Sequence, residues 1–169
     1  TSHTYKYKGK KNELYLIKEH EYEVISFKHL DNPKVSIIIP VHNKFDYTYK
    51  CLKSIYDNTN IEEIEIIIAD DGSTDETLNI KNYIKNIKVI RNDQPLGFLR
   101  NCNRAAKFAK GDYILFLNND TQVQPDWLSN LLEVFYKDEK IGLVGSKFVY
   151  PDGRLQEAGG IVWKDASAW

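Results

Sequence analysis

Short apolar runs in this sequence end repeatedly in aspartate or asparagine. Asp70 and Asp71 follow one such run, and Asn118, Asn119 and Asp120 follow another. Carboxylates accept hydrogen bonds from a base or a ribose, and they bind Mg²⁺ or Mn²⁺ together with phosphate oxygens and water. We therefore expect Asp120 to bind a divalent cation. We expect Asp71 to accept hydrogen bonds from a base or a ribose.

The glycine-rich loops that cradle phosphates are missing. No G-x-G-x-x-G follows an apolar run, and no G-x-x-x-x-G-K-[ST] occurs. A carboxylate facing a diphosphate would repel it unless a cation stood between them, so a diphosphate ligand at this site implies a divalent cation, Mn²⁺ or Mg²⁺. The alternative is that the aspartates and asparagines only cap the turns and helices that follow, as these residues often do.

Strands and helices alternate along the chain after residue 34. Such alternation predicts a mainly parallel α/β sheet flanked by helices, and right-handed crossovers put the carboxyl end of every strand on one edge. Ligands of open α/β sheets bind at that edge. Ser73 and Glu76 match a capping box, which predicts the start of the second helix. The predicted strands are 35–39, 64–69, 87–91, 113–117 and 141–144, and the predicted helices are 46–57, 73–84, 98–109 and a segment after Pro125.

Composition excludes several classes of protein. The 169 residues include 23 Lys and Arg against 24 Asp and Glu, a net charge of −1, so no global field favours nucleic acid. No apolar run approaches the ~20 residues of a membrane span. Cys51 and Cys102 are too few for a four-cysteine zinc site or a disulfide framework. We expect both to be reduced, with a single bridge between them left open, and we predict a cytoplasmic location.

The first 32 residues differ from the rest. They are rich in lysine, tyrosine and glutamate, and we interpret residues 1–32 as an N-terminal extension with one or two short strands or a helix. Residues 33–169 then form the ligand-binding domain. Because the sequence contains no methionine, we interpret the chain as processed or as a piece of a longer protein, truncated after the fifth strand.

Four segments together resemble family 2 glycosyltransferases, which adopt the Rossmann-like GT-A fold. They are VSIIIPVHN at 35–43, IIADDGSTD at 67–75, LGFLRN at 96–101 and GDYILFLNND at 111–120. Any one of them alone would be weak, but the four occur in the family's order. Residues 155–163 are similar to the start of the second half of bacterial surface-polysaccharide transferases.

The resemblance implies a metal-assisted, inverting transfer of a sugar from a nucleoside diphosphate sugar, UDP- or dTDP-linked, to a glycan or lipid-linked acceptor. A lipid-linked acceptor would allow peripheral association with the inner face of a membrane. Carried over by position, the nucleotide-binding residues are Pro40, His42, Asn43, Asp70 on the ribose side, Asp71 on the base, Gly97, Arg100 and Asn119, and the metal ligand is Asp120.

The chain departs from the family pattern in three respects. The metal motif has one carboxylate, Asp120, where Asp-x-Asp is common, and His42 stands where an aromatic residue is often found. The family's general base lies in its second half. Glu157 and Asp165 are the nearby carboxylates here, and we expect the base beyond Trp169 instead.

Three rival functions remain from the sequence. A nucleotidyltransferase would share the architecture, but it should carry glycines in the loop after the first strand, and residues 42–44 have none. A donor-binding fragment without catalysis is the second. A receiver domain is the third, although its acidic pair should end the first strand. For Arg100, the alternative to phosphate binding is a solvated basic helix face shared with Arg104 and Lys107.

Overall fold

The computed structural model of the chain describes residues 14–17 and 21–159. Two compact units make up the chain: Ile17–Pro125 is one, and Thr1–Leu16 with Asp126–Trp169 is the other. The elements of the first unit are β1 (Ile25–Ser26), β2 (Val35–Val41), α1 (Phe45–Asn58), β3 (Ile64–Asp70), a 3₁₀ helix (Glu76–Asn79), α2 (Ile80–Tyr83), β4 (Ile84–Lys85), β5 (Lys88–Arg91), α3 (Phe98–Ala106) and β6 (Tyr113–Phe116).

A four-stranded parallel sheet in the order β5-β3-β2-β6 forms the centre of this unit. Residues 37–39 and 66–68 are isoleucines with at most 1% of their surface exposed, as expected for strands buried on both faces. The predicted parallel sheet is therefore confirmed. Four predicted strands are found within two residues of their predicted ends.

Strand β2 continues through Pro40 to Val41, two residues beyond the predicted end. Proline lacks the N–H that a sheet ladder requires. The last bond from β6 to β2 joins Leu117 N to Ile38 O at 3.0 Å. Because backbone groups alternate in direction along a strand, the nitrogen of Pro40 faces β6, as Ile38 O does. Pro40 lies beyond the end of the β2–β6 pairing, so its missing N–H removes no hydrogen bond from the sheet.

The N-terminal segment is packed onto this unit. Strand β1 pairs in parallel with β4, and Ile25 and Phe27 are buried. The ring of Tyr22 makes edge contacts with Phe45 and Tyr49, at centroid distances of 5.1 and 4.9 Å. Residues 21–32 of the predicted extension thus include one short strand and pack on this unit.

The predicted capping box at Ser73 is wrong. The helical segment begins three residues later, as a 3₁₀ turn at Glu76, and its cap is Asp75, whose carboxylate accepts from Thr77 N at 3.0 Å. Ser73 Oγ instead accepts from Asn43 N at 2.8 Å. The hydroxyl is therefore used by the neighbouring loop and is not available to the helix.

In the second unit the described elements are α4 (Trp127–Lys137), β7 (Phe148–Val149) and β8 (Leu155–Glu157). The two strands form an antiparallel hairpin with a turn at residues 151–153. The predicted strand at 141–144 is wrong: Leu143 is 89% exposed, and residues 141–144 have no ladder partner in the described chain. A strand without a neighbour has no bonds for its backbone groups. Residues 160–163, the end of the 155–163 segment named above, lie outside the described residues.

None of the helices in the described residues is both long enough and apolar enough to cross a membrane.

Gly111 lies against the backbone of β2. A Cβ at this position would lie 2.6 Å from Ser36 N and 2.8 Å from Val35 C, and neither backbone atom can move without disturbing the sheet. We expect Gly111→Ala to lower the free energy of unfolding by about 2 kcal/mol, as overpacking does. Urea denaturation measures this change. Gly142→Ala is the control, because nothing lies within 4 Å of its added Cβ; equal effects of the two variants would contradict the prediction.

Candidate nucleotide-binding site

Three backbone bonds align the segments that follow the central strands. Asp71 N donates to Val41 O at 2.9 Å, and Asn92 N donates to Asp70 O at 2.8 Å. Leu117 N continues the ladder from β6 to β2. The polar strand ends therefore share one edge of the sheet, as predicted. The strands that lead to Asp71 and Asp120 flank β2 and lie about 10 Å apart, two interstrand spacings.

Asp71 holds the loop that follows β5. Its Oδ1 accepts from Leu96 N at 2.7 Å and from Asn92 Nδ2 at 2.8 Å, and its Oδ2 accepts from Gly97 N at 2.9 Å. Burial raises the pKa of this carboxyl, but the hydrogen bonds outweigh burial and lower the pKa below its ordinary value. Asp71 is therefore ionised at neutral pH, and Oδ2 keeps a lone pair for one more donor.

Asp70 is the last residue of β3 and is buried. It has no exposed surface, and its Oδ2 accepts from Arg91 Nε at 2.6 Å. Its Oδ1 accepts from Ser73 N at 2.9 Å. Because Asp70 has no surface open to solvent, its oxygens are not accessible to a ligand for the expected ribose contact. Its contacts are those of a residue that fixes the end of β3.

The loop after β2 is clamped to the loop after β3. Asn43 Oδ1 accepts from Thr74 N at 2.7 Å and from Asp75 N at 3.2 Å. Asp75 Oδ2 in return accepts from Phe45 N at 3.1 Å, and so caps α1 from another segment. Asn43 and Lys44 both have positive φ angles, 59° and 61°, a conformation that this clamp maintains. The side-chain oxygen of Asn43 is thereby occupied, which leaves its amide nitrogen for a ligand.

His42 is exposed at the rim and has a defined hydrogen bond. Its Nδ1 lies 2.9 Å from the carbonyl oxygen of Asp71. A carbonyl only accepts, so Nδ1 carries the proton, and Nε2 of the neutral ring remains an acceptor. The imidazole therefore offers both an aromatic face and one acceptor atom at the edge of the sheet.

Gly97 and Arg100 begin helix α3. Gly97 has a φ of 82°, which favours glycine, and its N–H is held by Asp71. Arg100 is exposed and makes no hydrogen bond or ion pair with residues 14–17 or 21–159. Its guanidinium is free to bind an anion. The neighbouring Arg104 is also exposed, but it has a protein partner, because its Nη1 donates to Arg91 O at 2.9 Å.

The segment after β6 places Asp120 in solvent. Asn119 Nδ2 donates to Thr48 Oγ1 at 3.0 Å, and the Cys51 thiol contacts Asn118 O at 3.7 Å, which ties this segment to α1. Burial raises the pKa of Cys51 to about 12, so this thiol stays protonated. Both cysteines are free, as expected. Asp120 itself is exposed and has no hydrogen bond or ion pair within the described part of the chain.

The described residues contain no group of three or more His, Cys, Asp or Glu side chains that could hold a metal ion. A Mg²⁺ or Mn²⁺ ion does not need such a group, since it binds through one or two carboxylates plus substrate phosphates and water. The unpaired carboxylate of Asp120 fits that donor set. A cation here would depend on the substrate for its other ligands.

The sequence analysis assigned no binding or positioning role to three residues that connect the loop to the sheet: Asn92, Asn101 and Arg104. One signal was present. Asn101 falls on the buried side of α3 with Cys102 and Ala105, and an asparagine on an apolar helix face needs partners for its amide.

The carboxylates considered as a general base give no assignment. Glu157 lies on β8 in the second unit and is exposed. Asp165 lies outside the described residues.

The Asp75 carboxylate should make the stability of the fold depend on pH. Burial raises the pKa of its carboxyl, but bonds from Thr77, Phe45 N and Lys44 N outweigh burial and lower the pKa. A lowered folded-state pKa contributes stability above the unfolded value of about 3.9, and that stability is lost as pH falls through the folded value. We expect Asp75→Asn to destabilise by about 1 kcal/mol at pH 7, and by less near pH 2.5. Urea denaturation at both pH values measures this, with exposed Asp93→Asn as control; a difference that does not shrink in acid would be the contrary result.

The family profile for glycosyl transferase family 2 matches residues 36–164. The chain belongs to this family. Chondroitin synthase of Pasteurella multocida is 37% identical over 140 residues, which cover 80% of this chain and 14% of that protein. The poly(ribitol-phosphate) beta-glucosyltransferase of Bacillus spizizenii is 43% identical over 98 residues, covering 53% of this chain and 15% of that protein. The chain thus spans about a seventh of the length of these relatives.

Two solved structures are similar to this chain. Staphylococcus aureus TarS 1–349 in complex with UDP-GlcNAc is 29% identical, with a TM-score of 0.55, covering 62% of this chain and 31% of that one. The mannosyltransferase PcManGT of Pyrobaculum calidifontis, in complex with GDP-Man and Mn²⁺, has a TM-score of 0.56 at 19% identity, covering 69% and 36%. The second likeness bears on the fold alone. The fold is that of GT-A glycosyltransferases.

Proposed function

We propose that this chain binds a nucleoside diphosphate sugar and acts as the donor-binding part of a glycosyltransferase. One observation carries the proposal: an ionised, partly unsatisfied Asp71 and an unpaired, exposed Asp120 follow strands on either side of β2 at one edge of a parallel sheet. A base acceptor that follows one strand and a cation ligand that follows another, on either side of β2, suit the two ends of a nucleoside diphosphate.

The base should be one that presents an N–H donor. Asp71 can accept one further hydrogen bond at Oδ2 and cannot donate any while ionised. Uracil, thymine and guanine carry a ring N–H on their pairing edge, whereas cytosine has an acceptor at that ring position and donates only through the exocyclic amine beside it. We therefore propose UDP- or dTDP-linked donors, with GDP-linked donors as the competing class. The TarS complex with UDP-GlcNAc supports a uridine donor.

The diphosphate should lie between Asp120 and Arg100. Asp120 would hold a divalent cation, whose chemistry is to neutralise the charge that the leaving diphosphate gains. The PcManGT complex, which shares the fold, contains Mn²⁺. Arg100, whose guanidinium suits phosphate oxygens, would bind the same group from the start of α3. Pro40, His42, Asn43 and Asn119 would line the nucleotide pocket.

Transfer of the donor sugar to an acceptor hydroxyl is also part of the proposal. An inverting displacement needs a carboxylate to remove the proton of the acceptor hydroxyl, and we place that base beyond Trp169. The acceptor would be a glycan or a lipid-linked glycan. A cytoplasmic location with peripheral membrane association remains a prediction.

A thermal-shift panel of UDP, dTDP, GDP and CDP, each with and without Mn²⁺, tests donor binding. A ligand at about 100 times its dissociation constant should stabilise the fold by about 2.7 kcal/mol, roughly 7 °C for a chain of this size. We expect UDP or dTDP with Mn²⁺ to give the largest shift and CDP the smallest. No shift with any nucleotide would overturn the proposal, and an equal shift with CDP would overturn the role of Asp71.

A further inference from the structure

Three polar side chains link the 92–97 loop to the sheet and to helix α3. Asn92 Nδ2 donates to Asp71 Oδ1 at 2.8 Å and to Asn101 Oδ1 at 2.9 Å. Asn101 Nδ2 donates to Ala69 O, on β3, at 2.7 Å. Arg104 Nη1 donates to Asn92 Oδ1, from a position one turn further along α3. Asn92 is 5% exposed and Asn101 1%.

The amide of Asn92 can take only one orientation in this network. Its nitrogen has two acceptors, Asp71 and Asn101, and its oxygen has a cationic donor in Arg104. A flipped amide would put its oxygen against the Asp71 carboxylate and its nitrogen against the guanidinium. The network therefore fixes which atom faces Asp71, and buried networks whose members are all satisfied are the ones that specify a single arrangement.

Residues 93–97 are all exposed, and among them Pro95 lies beside Gly72. The backbone amides of Leu96 and Gly97 both donate to the Asp71 carboxylate. The orientation of that carboxylate therefore helps to fix the 96–97 end of the loop, and Asn92 is the side chain that donates to it.

We propose that Asn92, Asn101 and Arg104 are positioning residues that hold the 92–97 loop, with Gly97 and Arg100, in the conformation that binds the donor diphosphate. They act through Asp71 and do not touch the ligand. This inference rests on the proposed function for its effect on binding, but its effect on the loop can be measured without any ligand.

Two variants and two matched controls test it in the full chain. Arg104→Ala removes the donor to Asn92 from an exposed position, so the fold should be retained, and Lys107→Ala removes an exposed cation from the same helix. Asn101→Leu removes the buried amide, and Asn103→Leu makes the same change at an exposed position of α3. Arg104→Lys keeps a cationic donor and should recover part of any loss.

The first measurement is hydrogen exchange at the amides of Leu96 and Gly97 without ligand. We expect exchange at least ~10-fold faster in Arg104→Ala and Asn101→Leu than in the controls, because the bonds to Asp71 would open more often. Unchanged exchange in Arg104→Ala would overturn the proposal, and Arg104→Ala alone decides if Asn101→Leu does not fold.

The second measurement is the dissociation constant of UDP with Mn²⁺. We expect it to rise about tenfold in Arg104→Ala, in line with lost supporting contacts at other sites, and to recover in Arg104→Lys. Fast exchange with unchanged UDP affinity would overturn the positioning role. Absence of UDP binding in the unaltered chain would overturn the proposed function, and the exchange data would still decide whether the network holds the loop.

Discussion

Replacing Arg91 by leucine should lower the free energy of unfolding by about 3 kcal/mol. The reason is that the Asp70 carboxylate, which has no exposed surface, would lose the cation 2.6 Å away, and a buried charge without its partner is strongly destabilising. The bond from Arg91 Nη2 to Thr77 O, 3.2 Å long, would be lost too. Urea denaturation at neutral pH measures the change.

Two further variants separate charge from packing. Lys28→Leu breaks an ion pair with Glu62 in which both side chains are more than half exposed, and it should change stability by less than about 1 kcal/mol. The double variant Asp70→Asn with Arg91→Leu should recover part of the loss, because no charge then remains buried. If Arg91→Leu and Lys28→Leu had equal effects, Asp70 would not depend on its partner.

Asp120→Ala should abolish the part of nucleotide binding that depends on Mn²⁺ while leaving the fold intact. The carboxylate is exposed and has no protein partner within residues 14–17 and 21–159, so removing it changes little in the folded chain itself. Without it the cation keeps only phosphate and water ligands. We expect UDP affinity in Mn²⁺ to fall at least about tenfold, equal to about 1.4 kcal/mol, as measured by calorimetric titration.

Asp112→Ala is the matched control for this effect. Asp112 is also exposed, but it precedes β6, whereas Asp120 follows that strand. Equal losses in both variants would show that Asp120 acts only through net charge. An unchanged Mn²⁺ dependence in Asp120→Ala would remove it from the metal site.

The sheet was predictable because its strands carry an unambiguous pattern. Runs of isoleucine such as 37–39 and 66–68 are typical of strands that helices cover on both faces. The alternation of these strands with helices along the chain predicts that they pair in parallel. Once the order was parallel, the convergence of Asp71 and Asp120 on one edge followed from topology alone.

Side-chain partners were not predictable, because they depend on contacts between distant segments. The spacing of Ser73 from Glu76 is typical of a helix cap. In the structure the Ser73 hydroxyl instead accepts a hydrogen bond from the backbone N–H of Asn43, 30 residues earlier. Asp70 and Asp71 are adjacent residues of the same type. Asp70 nevertheless pairs with Arg91 on β5, whereas Asp71 accepts hydrogen bonds from the 92–97 loop. Local spacing carries no information about such differences.

The proposed site at the carboxyl edge of the sheet, with its cation near Asp120, can be located by amide NMR. Spectra of the isotope-labelled chain are recorded with UDP and a trace of paramagnetic Mn²⁺. We expect line broadening centred on residues 118–120, with shift changes at residues 40–43 and at Leu96 and Gly97. Broadening centred on the opposite edge, around Lys110 and Asp112, or spectra that UDP and Mn²⁺ leave unchanged, would contradict it.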